Sequence, residues 1–324
     1  MNGKRNYAYK AMMEKNSKIY IAGHRGMVGS AVVRCLAKDG YNNLVFRPSK
    51  ELNLTNQQAV ELFFNKEKPE YVFIAAARVG GIYANNTYRA EFIYVNLQIQ
   101  TNLIHASWKN NVKKLLFFSS SCVYPRNCPQ PMKEEYLWTG ILEPTNQPYA
   151  VAKLAGMETC QAYNDQYGTN FLSVIPTNLY GVNDNFDPQN SHVVAALIYK
   201  IQAAKAAKSP EVVLWGSGNP RRELMDVDDA ADAALFIMNN YAGNCPINIG
   251  WGTDISIWEL ANLVGSVVGY KGRILFDKTK PDGAPQKLLE VNKLFSLGWK
   301  PAIVLEDGIK KAYKWYLDSL ISYH

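Results

Sequence analysis

Apolar residues in the first half of this chain alternate between short dense runs and longer stretches with helical spacing. Residues 18–22 (KIYIA) read as a strand and Met27–Lys38 as a helix, with Gly40 placed to end it. Residues 44–46 predict a short second strand. Residues 71–77 (YVFIAAA) form a continuous apolar run, as a strand covered on both faces requires. A helix over 90–109, a strand over 115–119, a helix over 149–167 and a strand over 171–175 follow. The repeated alternation predicts an α/β fold, a Rossmann-type doubly wound parallel sheet. Such sheets bind ligands beyond the carboxyl ends of their strands, and Gly23, Ala77 and Ser120 fall at those ends.

The second half is less regular. Helices are expected over 192–207, 228–239 and Ile257–Val268, and extended segments over 211–214 and Ile247–Ile249. Residues 176–190 (PTNLYGVNDNFDPQN) read as a long binding loop. Residues 1–17, polar and basic, are expected to be a poorly ordered extension. Residues 18–178 then form the cofactor-binding domain, to which a segment at about 225–250 returns. Residues 179–324 are mainly a smaller mixed α/β substrate domain.

Composition narrows the partners. Of 324 residues, 48% are apolar and 19% charged, as in an ordinary globular protein. The net charge of +7 is spread along the chain. That argues against nucleic acid, which favours basic runs or stripes, and suits an anionic small ligand. Cys35, Cys122, Cys128, Cys160 and Cys245 are scattered without a CxxC pair, so neither zinc nor a disulfide framework is expected. No apolar run reaches the roughly 18 residues of a membrane span, and residues 1–17 lack the apolar core of a secretory signal. A cytoplasmic protein with no membrane partner is expected.

The candidate chemistry lies in Ser120-Ser121-Cys122-Val123-Tyr124-Pro125 and in Tyr149-Ala150-Val151-Ala152-Lys153. Tyr149 and Lys153 share one helix face, so the ammonium would lower the phenol's pKa towards working pH. Such a phenol exchanges a proton with an alkoxide, and Ser120 would hold the same oxygen. Residues two apart on a strand project to one side, which would bring Cys122 beside Ser120. Upstream, Gly23-His24-Arg25-Gly26-Met27-Val28-Gly29 joins the first strand to the first helix. Its glycines permit a tight turn and close approach of backbone to a pyrophosphate at the helix N-terminus. No acid follows the second strand until Glu51, whereas Arg25 and Arg47 can pair with a 2′-phosphate, which predicts NADP(H). His24 and His105 lie in no ligand cluster, so no metal is expected.

Together these motifs resemble the extended short-chain dehydrogenase/reductases, and within them the epimerase-reductases of nucleotide-sugar synthesis. The similarity runs from about Lys18 to Leu317 through IAGHRGMVGSA (21–31), VGGIYANNTY (79–88), SSCVYP (120–125), LEPTNQPYAVAKLAG (142–156), PTNLYGVNDNF (176–186), NSHVVAAL (190–197), VVLWGSG (212–218) and KPDGAPQKLLEV (280–291). The resemblance implies a homodimer acting on a GDP-4-keto-6-deoxy-hexose as 3,5-epimerase and NADPH-dependent 4-reductase. It makes Ser120, Tyr149 and Lys153 the reductase triad, and Cys122 and His192 the epimerisation acid and base. It gives the cofactor Gly23 through Gly29, Arg47, Ala76, Ser119, Lys153, Pro176, Asn178, Leu179 and His192. It gives the sugar nucleotide Asn178, Lys200, Trp215, Arg222 and Asp282.

From the residues themselves, Trp215 would stack on a guanine or sugar face, and Arg222 would pair with a diphosphate. Asn190-Ser191 looks like a helix N-cap, and a helix N-terminus disfavours the charged form of His192. Asn85-Asn86 contacts a ligand or forms a turn. The chain departs from the family pattern at Pro48-Ser49-Lys50, where a second basic residue would serve the 2′-phosphate, and around Arg221–Asp226 and at Gln286, which bear on the sugar more than on the chemistry. The readings to be separated are the epimerase-reductase, the same chemistry on another GDP-4-keto sugar such as a heptose, a 4-epimerase retaining NAD, and a non-catalytic NADP(H) sensor.

Overall fold

The computed structural model describes residues 12–187, 191–280 and 282–321. Its first half runs β1 (Ile19–Ala22), α1 (Met27–Lys38), β2 (Leu44–Val45), α2 (Gln57–Glu67), β3 (Tyr71–Ile74), α3 (Ile82–Thr87), α4 (Arg89–Lys109), β4 (Lys114–Phe118), α5 (Gln147–Tyr167) and β5 (Phe171–Pro176). The second half adds β6 (Asn178–Tyr180), α6 (Val193–Ala206), β7 (Glu211–Trp215), β8 (Arg221–Asp226), α7 (Val227–Asn240) and β9 (Ile247–Ile249). It ends with β10 (Asp254–Ser256), α8 (Ile257–Val268), β11 (Arg273–Asp277), β12 (Gln286–Lys287), α9 (Asn292–Ser296) and α10 (Leu305–Ile321).

Six parallel strands in the order β2-β1-β3-β4-β5-β9 form the central sheet. Their unbroken apolar runs follow from burial on both faces. Tyr20 and Ala22, Val72 and Ile74, and Leu115 and Phe117 pack towards α2, α4 and α5. Ile19 and Ile21, Tyr71 and Phe73, and Leu116 and Phe118 pack towards α1 and α7. Each such side chain contributes about 1.5–3 kcal/mol by leaving water. The chain order reverses direction between β1 and β3, which opens a crevice above their carboxyl ends.

A second core of α6, α8 and α10, with the paired β7 and β11, stands beside this sheet. Between the two cores lies a small mixed sheet centred on β8. Its first residues pair with β12 and β10, and its last residues with β6. This strand ties the elements of the second core to β6, which follows the end of β5.

Three expectations are corrected. Residues 12–17 are anchored: Met13 is buried, its N–H donates to Asn239 Oδ1 at 3.0 Å, and Lys15 bonds Asp39. Residues 1–11 lie outside the described residues. The 176–190 segment is no continuous loop, because Asn178–Tyr180 is a strand on β8. Asn85 sits inside α3, where its amide donates to the Gly80 and Gly81 carbonyls. Among the described residues no helix is long and apolar enough to cross a membrane, and no cluster has the makings of a metal site.

Candidate active site

The turn between β1 and α1 is shaped by two glycines. Gly23 has φ +87, and a Cβ there would stand 2.7 Å from the Ala76 backbone nitrogen. A Cβ at Gly29 would stand 2.1 Å from the Gly23 carbonyl oxygen. Backbone thus passes against backbone, with Met27 and Val28 leading into the helix. Gly26 caps α1 without a side-chain hydrogen bond, and no acid stands in the first turn, which leaves its N–H groups open to an anion. Further along the crevice, the buried Ser119 hydroxyl has no hydrogen-bond partner among the described residues. An open cradle and an orphaned hydroxyl fit a dinucleotide.

The two arginines differ. Arg47 donates to Glu67 at 2.7 Å and stands 4.0 Å from Glu51, so its charge is already balanced. Arg25 is exposed and makes no ion pair among the described residues. Of the two arginines expected at a 2′-phosphate, Arg25 stands free, and Arg47 would have to exchange its carboxylate partner. His24 stacks on Phe46 at 4.6 Å, a flat surface at the same corner, and burial with Arg25 lowers its pKa.

Beyond β4, the predicted cluster assembles, but by a turn. Ser120 caps a one-turn 3-10 helix over Ser121–Val123, and its hydroxyl accepts from the Cys122 N–H at 3.4 Å. This turn, and not strand alternation, brings Cys122 beside Ser120. Burial pushes the Cys122 thiol up; the Ser120 hydrogen bond, then Lys287, then Lys153, pull it back. Cys128 and Cys160, by contrast, belong to the hydrophobic core.

Tyr149 and Lys153 share the face of α5 that looks onto this turn. Lys153 donates to the Phe118 carbonyl at 2.8 Å, and its Nζ lies 5.8 Å from the Tyr149 ring centroid. Burial lowers Lys153 to about 8. The Tyr149 phenol is pushed well above its ordinary value by desolvation, with Cys122 adding to the effect. Desolvation of the phenol by the surrounding protein thus outweighs the expected lowering by Lys153, whose ammonium donates to a strand-end carbonyl. Phe92 stands edge-on to Tyr149 at 6.3 Å, and the Asn96 amide donates to the Phe92 carbonyl at 2.7 Å.

His192 stands apart. It is itself the N-cap of α6, one residue after the cap read from Asn190-Ser191, and Asn190 lies outside the described residues. The imidazole is reachable from solvent yet hemmed in by protein, which lowers its pKa and favours the neutral ring. Among the described residues, no hydrogen bond joins it to Cys122 or Tyr149. Pro176 and Leu179 are packed, and the Asn178 amide donates to the Glu223 carbonyl at 3.1 Å.

At the second core, Trp215 is 69% exposed, with Lys200 Nζ 5.4 Å and Lys280 Nζ 5.8 Å from its ring. The Arg222 guanidinium donates to the Ala284 carbonyl at 2.7 Å, which fixes the charged head. Asp282 accepts from Ser217 N at 2.8 Å and Ser217 Oγ at 2.7 Å. Its carboxylate thus shapes the turn that presents Trp215.

Sequence reasoning missed two residues here. Glu223 is fully buried and accepts from Gly252 N at 2.7 Å and Leu289 N at 2.9 Å, with burial raising its pKa to about 7. Lys287 lies on β12 opposite Arg222. A lone acid beside two arginines and a lysine in a polar strand look like surface charges, so only the pairing of β8 reveals them.

The family model described as "NAD dependent epimerase/dehydratase family" matches residues 19–250. GDP-L-fucose synthase 1 of Arabidopsis thaliana is 54% identical over 310 residues, covering 96% of each chain. The structure of a GDP-mannoheptose C4 reductase from Campylobacter jejuni with NADP bound is 45% identical, with TM-score 0.87, covering 94% of this chain and 99% of that one. A GDP-L-fucose synthetase from Naegleria fowleri bound to NADP superposes with TM-score 0.90 at 29% identity, covering 96% and 97%. With the crevice and its glycine turn in place, the chain belongs to the NAD dependent epimerase/dehydratase family.

Proposed function

We propose that this chain is an NADPH-dependent 3,5-epimerase/4-reductase that converts GDP-4-keto-6-deoxy-D-mannose to GDP-L-fucose. The observation that carries the reading is the convergence of Ser120, Cys122, Tyr149 and Lys153 beyond the end of β4, beside the β1–α1 turn. A pure reductase needs the hydroxyl, phenol and ammonium; the thiol is the additional group. The relatives named for GDP-L-fucose synthesis support the choice of sugar.

The protons at C3 and C5 are both α to the C4 carbonyl. Cys122 thiolate takes one of them: an S–H bond forms, the C–H bond breaks, and its electron pair passes to the C4 oxygen as an enolate. Ser120 and Tyr149 donate hydrogen bonds to that oxygen. His192, charged in the presence of the substrate diphosphate that offsets its burial, returns a proton to the opposite face and inverts the carbon. NADPH supplies the hydride for C4. Tyr149 then gives its proton to the new alkoxide, and Lys153 offsets the charge left on the phenol. The high pKa of an undisturbed Tyr149 suits a group that must stay protonated until that moment.

The dinucleotide is held by Gly23 through Gly29, with Ala76 and Ser119 along the crevice and Arg25 at the 2′-phosphate. Trp215, Lys200 and Arg222 hold the GDP portion, Asn178 reaches towards the sugar, and Asp282 fixes the Trp215 turn. Residues 18–178 with about 225–250 act as the cofactor half, and the remainder of 179–324 as the sugar half. The chain works in the cytoplasm as a homodimer joined through α4 and α5, where Tyr94 and Val151 remain exposed.

A second reading, the same chemistry on a GDP-4-keto-heptose, is favoured by the 45% identity to the heptose reductase. Purified protein supplied with NADPH and a panel of GDP-4-keto sugars decides between them. Fastest NADPH oxidation with the 6-deoxyhexose supports the proposal, and fastest oxidation with a heptose overturns it. Tightly bound NAD with no net NADPH consumption would instead identify a 4-epimerase. Absence of turnover with every sugar would leave a sensor.

A further inference from the structure

A cavity of about 490 Å³ lies apart from the crevice, a volume within the ordinary range of small-molecule sites. Its floor is made by buried residues of β5 and α5, Phe171, Ser173 and Met157. Its lip is made by exposed Trp138, on the connection from the Cys122 turn to α5, and by exposed Cys245, just before β9. None of Ser120, Cys122, Tyr149 and Lys153 lines it, so the proposed reaction leaves it without a role.

The polar groups around this cavity are unmatched, and in one direction. Ser173 is buried, and its hydroxyl has no nitrogen or oxygen partner among the described residues. Such a group costs free energy until something bonds it. The two lysines of the lining are already engaged. Lys133 stands 3.9 Å from Glu135, and Lys293 donates to the Pro246 carbonyl at 2.9 Å with its Nζ 5.5 Å from the Tyr241 ring. The carboxylates of the lining are not. Glu134 and Glu290 each accept one backbone N–H, from Asn248 and from Asn292, both at 3.0 Å, and neither has an ion pair among the described residues. Glu158, exposed on α5, has neither ion pair nor hydrogen bond there. Three carboxylates thus line one cavity with no cation set against them. Trp138 is 65% exposed, and its ring has no aromatic or cationic partner among the described residues.

We propose that this cavity is a second binding site, which takes a small organic cation with a flat apolar body, of the arylalkyl-ammonium class. The apolar body displaces water from Phe171 and Met157 and lies under the Trp138 ring. The ammonium is balanced by Glu134, Glu158 and Glu290 and donates to the Ser173 hydroxyl, which satisfies the one buried polar atom that the fold leaves open. The same carboxylates repel anions, so the site does not duplicate a subsite for the dinucleotide or the sugar nucleotide. The inference stands whether or not the reaction proposed above is correct.

The test uses the full chain with NADP⁺ bound and phenethylammonium as the probe. Iodoacetamide labelling of Cys245 is followed by peptide mass spectrometry, and Cys35, on α1 across the sheet, is the reference within the same chain. The probe should slow labelling of Cys245 and leave that of Cys35 unchanged, with a half-effect in the millimolar range, as so small a ligand implies. Uncharged phenethyl alcohol should need about tenfold more. Trp138→Ala, Glu158→Gln and Ser173→Ala should each raise the half-effect concentration by about threefold or more. No slowing at any soluble concentration of the probe would overturn the proposal. So would equal potency of phenethyl alcohol, which would leave an apolar slot that does not select for charge, or an unchanged half-effect in any of the three variants. Equal NADP⁺ affinity and equal elution volume in all four proteins exclude misfolding and altered assembly as the cause.

Discussion

Replacing Gly29 with alanine tests the cofactor cradle with a single methyl group. The new Cβ would stand 2.1 Å from the Gly23 carbonyl oxygen and 2.6 Å from its carbon. An ordinary carbon–oxygen contact is about 3.3–3.6 Å, so the turn must open by about 1 Å. Overpacking of this kind costs about 1–3 kcal/mol. The displaced atoms are backbone, so no flexible side chain can absorb the strain. The same displacement moves the open N–H groups of α1 away from the pyrophosphate. At about 1.4 kcal/mol per tenfold, NADPH affinity should fall by roughly 5- to 150-fold, with a loss of a few degrees in melting temperature. Gly26→Ala is the control: its Cβ meets only the Gly23 oxygen, at 3.5 Å, so the apo melting temperature should stay near wild type. Fluorescence titration with NADPH and thermal melting read both quantities. Wild-type affinity and melting in Gly29→Ala would refute the claim that backbone contact shapes this turn.

Other variants separate the two half-reactions and the buried charges. Cys122→Ser should abolish deuterium wash-in at C3 and C5 while hydride transfer continues, and Tyr149→Phe should slow hydride transfer by about 10²-fold or more and slow wash-in far less, both measured by NMR in D₂O. Lys153 has its pKa lowered to about 8 in the free enzyme, so kcat/KM for reduction should decline as pH rises through about 8, and a flat profile to pH 10 would contradict the role of the ammonium. Glu223→Gln must turn an amide donor towards Gly252 N or Leu289 N, with a stability loss of about 1–3 kcal/mol and a raised KM for the sugar nucleotide. Glu223's folded pKa of about 7 exceeds the unfolded value, so the native state binds more protons between about pH 4.5 and 7. Wild-type stability relative to Glu223→Gln should therefore fall as pH rises across that window, as read by denaturant titration.

The parts of the fold that were legible in the sequence are those in which one physical requirement governs a whole segment. Residues 71–74 are apolar throughout because both faces of β3 are covered, and Met27–Lys38 carries its helix from a glycine turn to Asp39 and Gly40. The small sheet around β8 was hidden. Exposed Arg221, half-buried Arg222 and a Glu223 carboxylate buried against backbone N–H groups open the strand, so it has no apolar signature. The same applies to Lys287, whose surroundings are set by hydrogen bonds from Gln130 and Met132, more than 150 residues earlier. Within the site, Tyr149 and Lys153 were placed by helical spacing alone. The direction of the Tyr149 pKa was not, because it depends on how completely the folded chain removes the phenol from water, with Cys122 adding to the effect.

The most direct test of a single pocket that inverts two carbons and then reduces the ketone is one reaction in D₂O. The protein is incubated with GDP-4-keto-6-deoxy-D-mannose and NADPH, and the product is analysed by NMR. The account predicts GDP-L-fucose with deuterium at both C3 and C5 and one NADPH oxidised per molecule formed. A reduced product that keeps protium at both carbons and the manno configuration at C3 and C5 would contradict it.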